Sequence, residues 1–105
     1  MRVTTAQRQA IESAFREAFG PGSRLLLYGS RLDDSARGGD IDLCVEAVSR
    51  PWAELVKFRL AFLAALERSL GERRIDVLLK RIGDTPRPID LEVERHGVEL
   101  CQIPA

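Results

Sequence analysis

The residues best suited to chemistry lie between Gly29 and Asp42. An apolar run ends at Gly29 and Ser30, and a glycine–serine step after a strand offers backbone N–H groups and a hydroxyl to phosphate oxygens. Asp40 and Asp42 follow on a predicted strand, where side chains two residues apart share one face at a separation of roughly 6.5–7 Å along the chain. That spacing suits one hard cation, or a pair of cations about 4 Å apart.

A third acid, Asp76, stands in the otherwise apolar segment Arg74 to Leu79. A carboxylate within a strand is costly to bury without a partner, so it requires a cation, a hydrogen-bond donor or solvent. If the two acid-bearing strands are neighbours, Asp76 can share the face of Asp40 and Asp42. Three carboxylates around one point repel each other unless a divalent cation lies between them, and oxygen ligands favour Mg²⁺ or Mn²⁺.

The elements that position these acids predict an α/β (α+β) fold with a small, mixed, twisted sheet of about four strands. We expect the helices mainly on one face of the sheet and the metal site at the sheet edge near Gly29 and Ser30. Ile89 to Arg95 alternates like a strand but is punctuated like a helix by Pro88 and Gly97, and we favour the helix. The predicted elements are a helix from Thr4 or Thr5 to about Phe19, strands Arg24 to Tyr28, Asp40 to Glu46 and Arg74 to Leu79, a helix capped by Ser49 with Pro51 at an early position and ending near Leu70, a helix from Pro88 to Arg95, and a strand from Val98 to Ile103.

Length, charge balance and cysteine count limit the kinds of protein that this chain can be. The 105 residues suffice for one domain, 1–105, and the 16 basic and 16 acidic residues cancel. This balance argues against strong nucleic-acid binding, which requires many phosphate contacts. Two cysteines and one histidine do not make a zinc site, and Cys44 and Cys101 are expected to be reduced thiols. With no signal peptide and no apolar run near the ~18 residues of a membrane span, we expect a cytoplasmic protein.

The long helix carries more apolar surface than one sheet requires. From Trp52 to Leu70 its apolar residues cover an arc of about 200°, against a usual stripe somewhat above 100°. Arg59 lies near the middle of this arc. Either its stem is buried with the charged head in water, or it anchors a protein partner. We therefore expect a homo- or hetero-oligomer formed through this helix.

The order Gly29-Ser30, then Asp40-Ile41-Asp42, then a lone acid in the next strand resembles the nucleotidyltransferase superfamily that includes DNA polymerase beta. The short chain is similar to the minimal nucleotidyltransferases of bacteria and archaea, and the resemblance covers nearly its whole length. Many of those proteins have serine where Gly39 stands. That difference removes one hydroxyl and leaves all three acids in place.

The resemblance implies a role for each acid of the motif. Asp40 and Asp42 would ligate two Mg²⁺ ions, with Mn²⁺ as an alternative. Asp76 would complete the shell of one ion and act as, or assist, the base that takes a proton from the attacking hydroxyl. ATP would be the nucleotide substrate.

The resemblance also implies a triphosphate site beside the acids. Gly29 and Ser30 would hold the triphosphate. Arg31 and Arg37 are candidate triphosphate contacts by position and charge, and the alternative is that both are solvated loop charges.

Minimal nucleotidyltransferases of this kind are often paired with a small helical toxin of the HEPN class. The resemblance therefore implies an Mg²⁺-dependent adenylyltransferase that transfers AMP from ATP to a hydroxyl on this partner and acts as the antitoxin. Two alternatives remain open. One is a catalytically silent antitoxin that neutralises its partner by binding, and the other is nucleotidyl transfer to a small molecule or an RNA end.

Overall fold

The computed structural model describes residues 3–29, 41–71 and 74–105. Within these ranges three helices and four strands follow one another in the order α1 (Thr5–Ala18), β1 (Arg24–Tyr28), β2 (Ile41–Ala47), α2 (Trp52–Leu70), β3 (Ile75–Arg81), α3 (Pro88–His96) and β4 (Val98–Gln102).

The four strands form one mixed sheet in the order β3-β2-β1-β4. Strand β1 is antiparallel to both β2 and β4, whereas β2 and β3 are parallel and joined by α2. A parallel pair requires a crossover connection, and α2 provides it. The predicted α+β class and the mixed four-stranded sheet are confirmed, and β2 and β3 are neighbours as the acid cluster requires.

The main core lies between one face of the sheet and the pair α1 and α2. Alternation along β2 sends Ile41, Leu43 and Val45 to this face, where each is completely buried. Aromatic side chains join the two helices, with the Phe62 ring centroid 6.1 Å from that of Phe15.

Helix α3 covers part of the opposite face. Its Val93 is buried against Leu26 of β1 and Cys44 of β2, and Tyr28 and Leu78 border this small cluster. Two helices therefore pack on one face and the third on the other, which agrees with the expectation that helices lie mainly on one side. Among the described residues, no helix is both long and apolar enough to cross a membrane.

Two helix starts differ in how they are capped. Thr4 caps α1, and its side chain and that of Gln7 form a reciprocal capping box. The prediction that Ser49 caps α2 is wrong, because the cap position is Pro51, which makes no side-chain cap bond. Ser49 therefore lies two residues before the cap, whereas a capping side chain must reach the first-turn N–H groups from the cap position itself.

The last third of the chain has the predicted order of elements with small shifts in their ends. The helix reading of Ile89 to Arg95 is confirmed, and α3 extends to His96. Strand β4 follows but ends at Gln102 rather than Ile103, and β3 continues two residues beyond the predicted end, to Arg81.

The wide apolar arc of α2 is divided between core and surface. Leu55 and Phe62 are fully buried, whereas Trp52, Val56 and Leu60 are 41%, 45% and 57% exposed. We call Trp52, Val56 and Leu60, spaced four residues apart, the outer row of α2. Arg59 is intermediate in exposure, and its Nε donates a hydrogen bond to the Val77 carbonyl oxygen at 2.9 Å.

Candidate functional site

Asp42 and Asp76 are direct neighbours across two strands. They are register partners in the parallel ladder between β2 and β3, and partners in a parallel ladder project to the same face of the sheet, with their strands about 4.8 Å apart. The flanking Leu43 and Val77 point into the core on the opposite face. Two predicted acids from different parts of the sequence therefore lie side by side, Asp42 half-buried and Asp76 exposed.

Gly29 lies against the first of these acids. Tyr28, the last residue of β1, is the antiparallel register partner of Asp42, and Gly29 follows with a φ of +79°. A Cβ at Gly29 would stand 2.5 Å from Asp42 Oδ2. Only glycine therefore allows the backbone to pass this close to the carboxylate, which explains the residue type in terms of both conformation and space.

The site lies at one end of three neighbouring strands. Gly29 follows the C-terminus of β1, and the two acids lie near the N-termini of β2 and β3. The sequence analysis predicted a metal site at the sheet edge, and the strand positions of two of its acids can be described. Asp76 is on the edge strand β3, whereas Asp42 is on an interior strand.

Tyr28 is a site neighbour that the sequence reasoning missed. Burial raises the pKa of the Tyr28 hydroxyl above its usual value, and the nearby carboxylates of Asp42 and Asp76 raise it further. The phenol therefore stays protonated at neutral pH and presents a neutral hydrogen-bond donor beside the two acids. The alternation of β1 already placed Tyr28 on the face of Leu26, but the cross-strand register was needed to bring it to Asp42.

Cys44 is a buried neighbour of Asp42 on the same face of β2. It is 1% exposed, lies two residues after Asp42 on the same face and packs against Leu26 and Val93. Burial raises the pKa of its thiol to about 12, so it remains protonated and is a poor nucleophile. Cys44 therefore serves packing on the face of the sheet that carries Asp42.

Four of the predicted site residues, Ser30, Arg31, Arg37 and Asp40, lie outside the described residues. Their assignment to triphosphate and metal binding stays a prediction. In residues 3–29, 41–71 and 74–105, no group of three His, Cys, Asp or Glu side chains is placed to hold a metal ion. The described part of the site is the pair Asp42 and Asp76 with Gly29, and a third carboxylate at Asp40 would complete the predicted set.

The described donors suit a hard divalent cation. Two carboxylates on adjacent strands provide oxygen ligands from one side, which is the kind of partial shell in which Mg²⁺ retains waters and substrate phosphate oxygens. The bare backbone at Gly29 lies beside the same carboxylate. Asp42 and Asp76 would hold the ion, and Gly29 would admit a phosphate next to it.

A second charged pocket lies at the other end of β3, four residues beyond Asp76, and involves Trp52 and α3. Its cations are paired within the protein. Arg81 Nε lies 3.0 Å from Asp84 and its guanidinium lies 4.9 Å from the centroid of the Trp52 ring. These contacts fix the turn between β3 and α3. The lining residues are Trp52, Lys80, Arg81, Asp84, Thr85, Arg87 and Asp90.

Comparison with known proteins adds no family assignment. No protein-family model matches the chain, and no curated protein matches it.

Proposed function

We propose that this protein is an Mg²⁺-dependent nucleotidyltransferase that transfers AMP from ATP to a hydroxyl on a partner protein, and thereby acts as an antitoxin toward a helical HEPN-type toxin. One observation carries the proposal. Asp42 and Asp76 are in register on one face of the sheet, and Gly29 passes so close to Asp42 that no side chain fits there.

The reaction requires little covalent chemistry from the protein. The acceptor oxygen attacks the α-phosphorus of ATP, the bond to pyrophosphate breaks, and the acceptor proton passes to a base. When bound, Mg²⁺ neutralises the charge that develops on the phosphate oxygens. In this proposal Asp42 and Asp76 would hold the ion, and Gly29 leaves room for the triphosphate. Asp76 would also act as, or assist, the base, because its carboxylate is exposed and an acceptor can reach it.

A protein acceptor is supported by the outer row of α2 and by the zero net charge of the chain. Apolar side chains on one exposed helix face suit a protein partner, and a neutral chain gains little from nucleic-acid phosphates. We further propose a cytoplasmic location, because the free thiols Cys44 and Cys101 and the use of ATP fit a reducing compartment.

The direct test is transfer of radiolabel from [α-³²P]ATP, in the presence of Mg²⁺, to the product of the neighbouring gene as the candidate partner. We expect wild type to label the partner, and Asp42→Asn and Asp76→Asn to lose at least about a hundredfold in rate, as expected when a metal ligand or base is removed. Asp84→Asn is the matched control, since Asp84 is an exposed acid on the turn after β3. Equal labelling by wild type and Asp42→Asn would refute the catalytic assignment.

A second candidate, neutralisation by binding alone, is favoured by the exposure of the outer row of α2. Leu60→Glu places a charge in the row, and Ser69→Glu places one at another exposed position of the same helix. If the protein neutralises the toxin by binding alone, Leu60→Glu abolishes neutralisation and Asp42→Asn retains it. If neutralisation requires catalysis, Asp42→Asn abolishes it. Ser69→Glu is the control variant and leaves neutralisation intact.

A further inference from the structure

The outer edge of β3 has a definite set of outward-facing groups. The Ile41 N–H donates to the Arg74 carbonyl oxygen at 3.0 Å, and the Ile82 N–H donates to the Ala47 carbonyl oxygen at 2.8 Å. In a parallel strand the N–H and C=O of one residue point to the same side, and that side alternates along the strand. Even-numbered residues of β3 therefore face β2, and Val77 and Leu79 direct their backbone groups away from the sheet.

Arginine side chains occupy both of these outward carbonyls. Arg59 Nε donates to the Val77 oxygen at 2.9 Å, and Arg87 Nη2 donates to the Leu79 oxygen at 3.1 Å. Arg59 belongs to α2 on the core face, whereas Arg87 precedes α3 on the opposite face. Two guanidinium groups thus reach the same strand edge from opposite sides of the sheet.

The other edge of the sheet shows the same kind of contact. The register between β1 and β4 shifts, with Leu25 opposite Cys101 and Leu26 opposite Glu99, so Leu100 has no register partner. Its carbonyl oxygen accepts a hydrogen bond from Arg8 Nη2 of α1 at 2.9 Å. Each edge strand therefore has a carbonyl oxygen that accepts a hydrogen bond from an arginine side chain.

These contacts oppose the addition of another strand. An uncovered edge is a template for pairing with a second chain because it presents a row of N–H and C=O groups. At β3, an incoming strand needs the carbonyls of Val77 and Leu79, which already accept charge-assisted hydrogen bonds. Such bonds are stronger than the neutral amide bonds that would replace them, so the exchange is unfavourable.

We propose that Arg59 and Arg87 each help to keep the β3 edge closed to strand addition, and that a second copy of this chain pairs there, β3 against β3, more tightly as these arginines are removed. The occupant is a second copy because identical edges pair symmetrically about a twofold axis and because β3 is rich in β-forming residues. The proposal does not depend on catalysis at Asp42 and Asp76.

The test compares self-association of wild type, Arg59→Met, Arg59→Met/Arg87→Met and Arg68→Met by sedimentation velocity over a range of concentrations. Methionine keeps an unbranched apolar stem and removes the donors. Arg68 is the matched control, because it lies on the same helix and its guanidinium lies 3.8 Å from Glu17. We expect the double variant to associate at least about tenfold more tightly than wild type, equivalent to about 1.4 kcal/mol, and Arg68→Met to behave as wild type.

Amide hydrogen exchange locates the new contact. In the associated double variant we expect slower exchange at the Val77 and Leu79 amides, which face the open edge. A folded double variant that sediments as wild type would overturn the proposal, as would association without slower exchange at these two amides. If loss of Arg87 unfolds the double variant, the single variant Arg59→Met provides the test, because it frees the Val77 carbonyl and leaves the Arg87–Asp90 pair intact. Arg59→Met should then associate more tightly than Arg68→Met.

Discussion

At the scale of single residues, Gly29 is the position where the site tolerates least change. Its φ of +79° is unfavourable for other residues, and Asp42 Oδ2 occupies the space that a side chain would need. Gly71 has nearly the same backbone angle, +77°, but open space around it. Substitutions at the two glycines can therefore be compared to distinguish the free-energy cost of backbone strain from that of a close contact with the Asp42 carboxylate.

We predict that Gly29→Ala lowers the free energy of unfolding by about 2–4 kcal/mol, because backbone strain adds to the contact with Asp42. Gly71→Ala should lose less than Gly29→Ala, about 1–3 kcal/mol from strain alone, because its φ of +77° and ψ of −166° lie in a region that is almost exclusive to glycine. Urea denaturation measures both. Adding Asp42→Ala should recover part of the loss in Gly29→Ala and none in Gly71→Ala; equal losses for the two glycine variants would contradict this account of the site.

At the scale of elements, α3 is held to β3 by one buried acid. Asp90 is 4% exposed and accepts hydrogen bonds from Arg87 through the backbone N–H at 2.8 Å and the guanidinium Nη2 at 2.9 Å. The same guanidinium donates to the Leu79 carbonyl oxygen. Arg87 thus links the start of the helix to the edge strand, and its hydrogen bond to Asp90 lowers the pKa of that carboxyl.

We predict that Asp90→Asn costs about 1–3 kcal/mol at neutral pH, the range for a hydrogen-bonded charge that loses its partner. Because the folded-state pKa of Asp90 is depressed, its stabilisation is present above the unfolded value near 3.8 and is lost as pH falls below it. Thermal denaturation from neutral to acidic pH should show the gap between wild type and Asp90→Asn narrowing. The exposed Glu94→Gln, on the same helix, serves as a control with little effect, and a gap that widens in acid would be inconsistent with the ion pair.

The outer row of α2 shows which features of a helix the sequence could predict and which it could not. The 100° periodicity identified an arc too wide for one sheet face, and the structure leaves Trp52, Val56 and Leu60 exposed. Periodicity could not predict that Arg59 binds the Val77 carbonyl, because this contact depends on where the edge of the sheet lies relative to α2. The Ser49 cap failed for a local reason, since the helix begins after Pro51.

At the scale of the whole molecule, stability depends on the core between α1, α2 and the sheet. Phe62 is completely buried, and its ring lies 6.1 Å from Phe15 and 5.8 Å from Phe19 between centroids. Leu60, two residues away on the same helix, is mostly exposed. One side of α2 therefore packs in the core, and another side is exposed and could contact a partner.

We predict that Phe62→Ala lowers the free energy of unfolding by about 3–5 kcal/mol through loss of buried area and formation of a cavity. Leu60→Ala should change it by less than about 1 kcal/mol because the side chain is already in solvent. Equilibrium urea unfolding of the isolated protein distinguishes the two. A large loss in Leu60→Ala would mean that the outer row is already covered in solution, for example by a second copy.

The site itself was predictable from sequence in part. Alternation along each strand assigned Asp42 and Asp76 to the faces away from Leu43 and Val77. Sequence alone could not provide the register that makes the two acids direct partners, nor the antiparallel pairing that brings Tyr28 to Asp42. These depend on strand order, which local patterns do not specify.

The position of Asp76 has a consequence for the kind of acceptor that the proposed reaction would favour. In the part of the chain that the structure describes, β3 has no strand on its outer flank, so Asp76 stands beside open solvent rather than at the bottom of a cleft. A hydroxyl on the surface of a folded macromolecule could reach it without threading into a cavity. Acceptor selectivity would then depend on surface complementarity between two folded macromolecules. An acceptor too small to contact α2 as well would gain little binding energy.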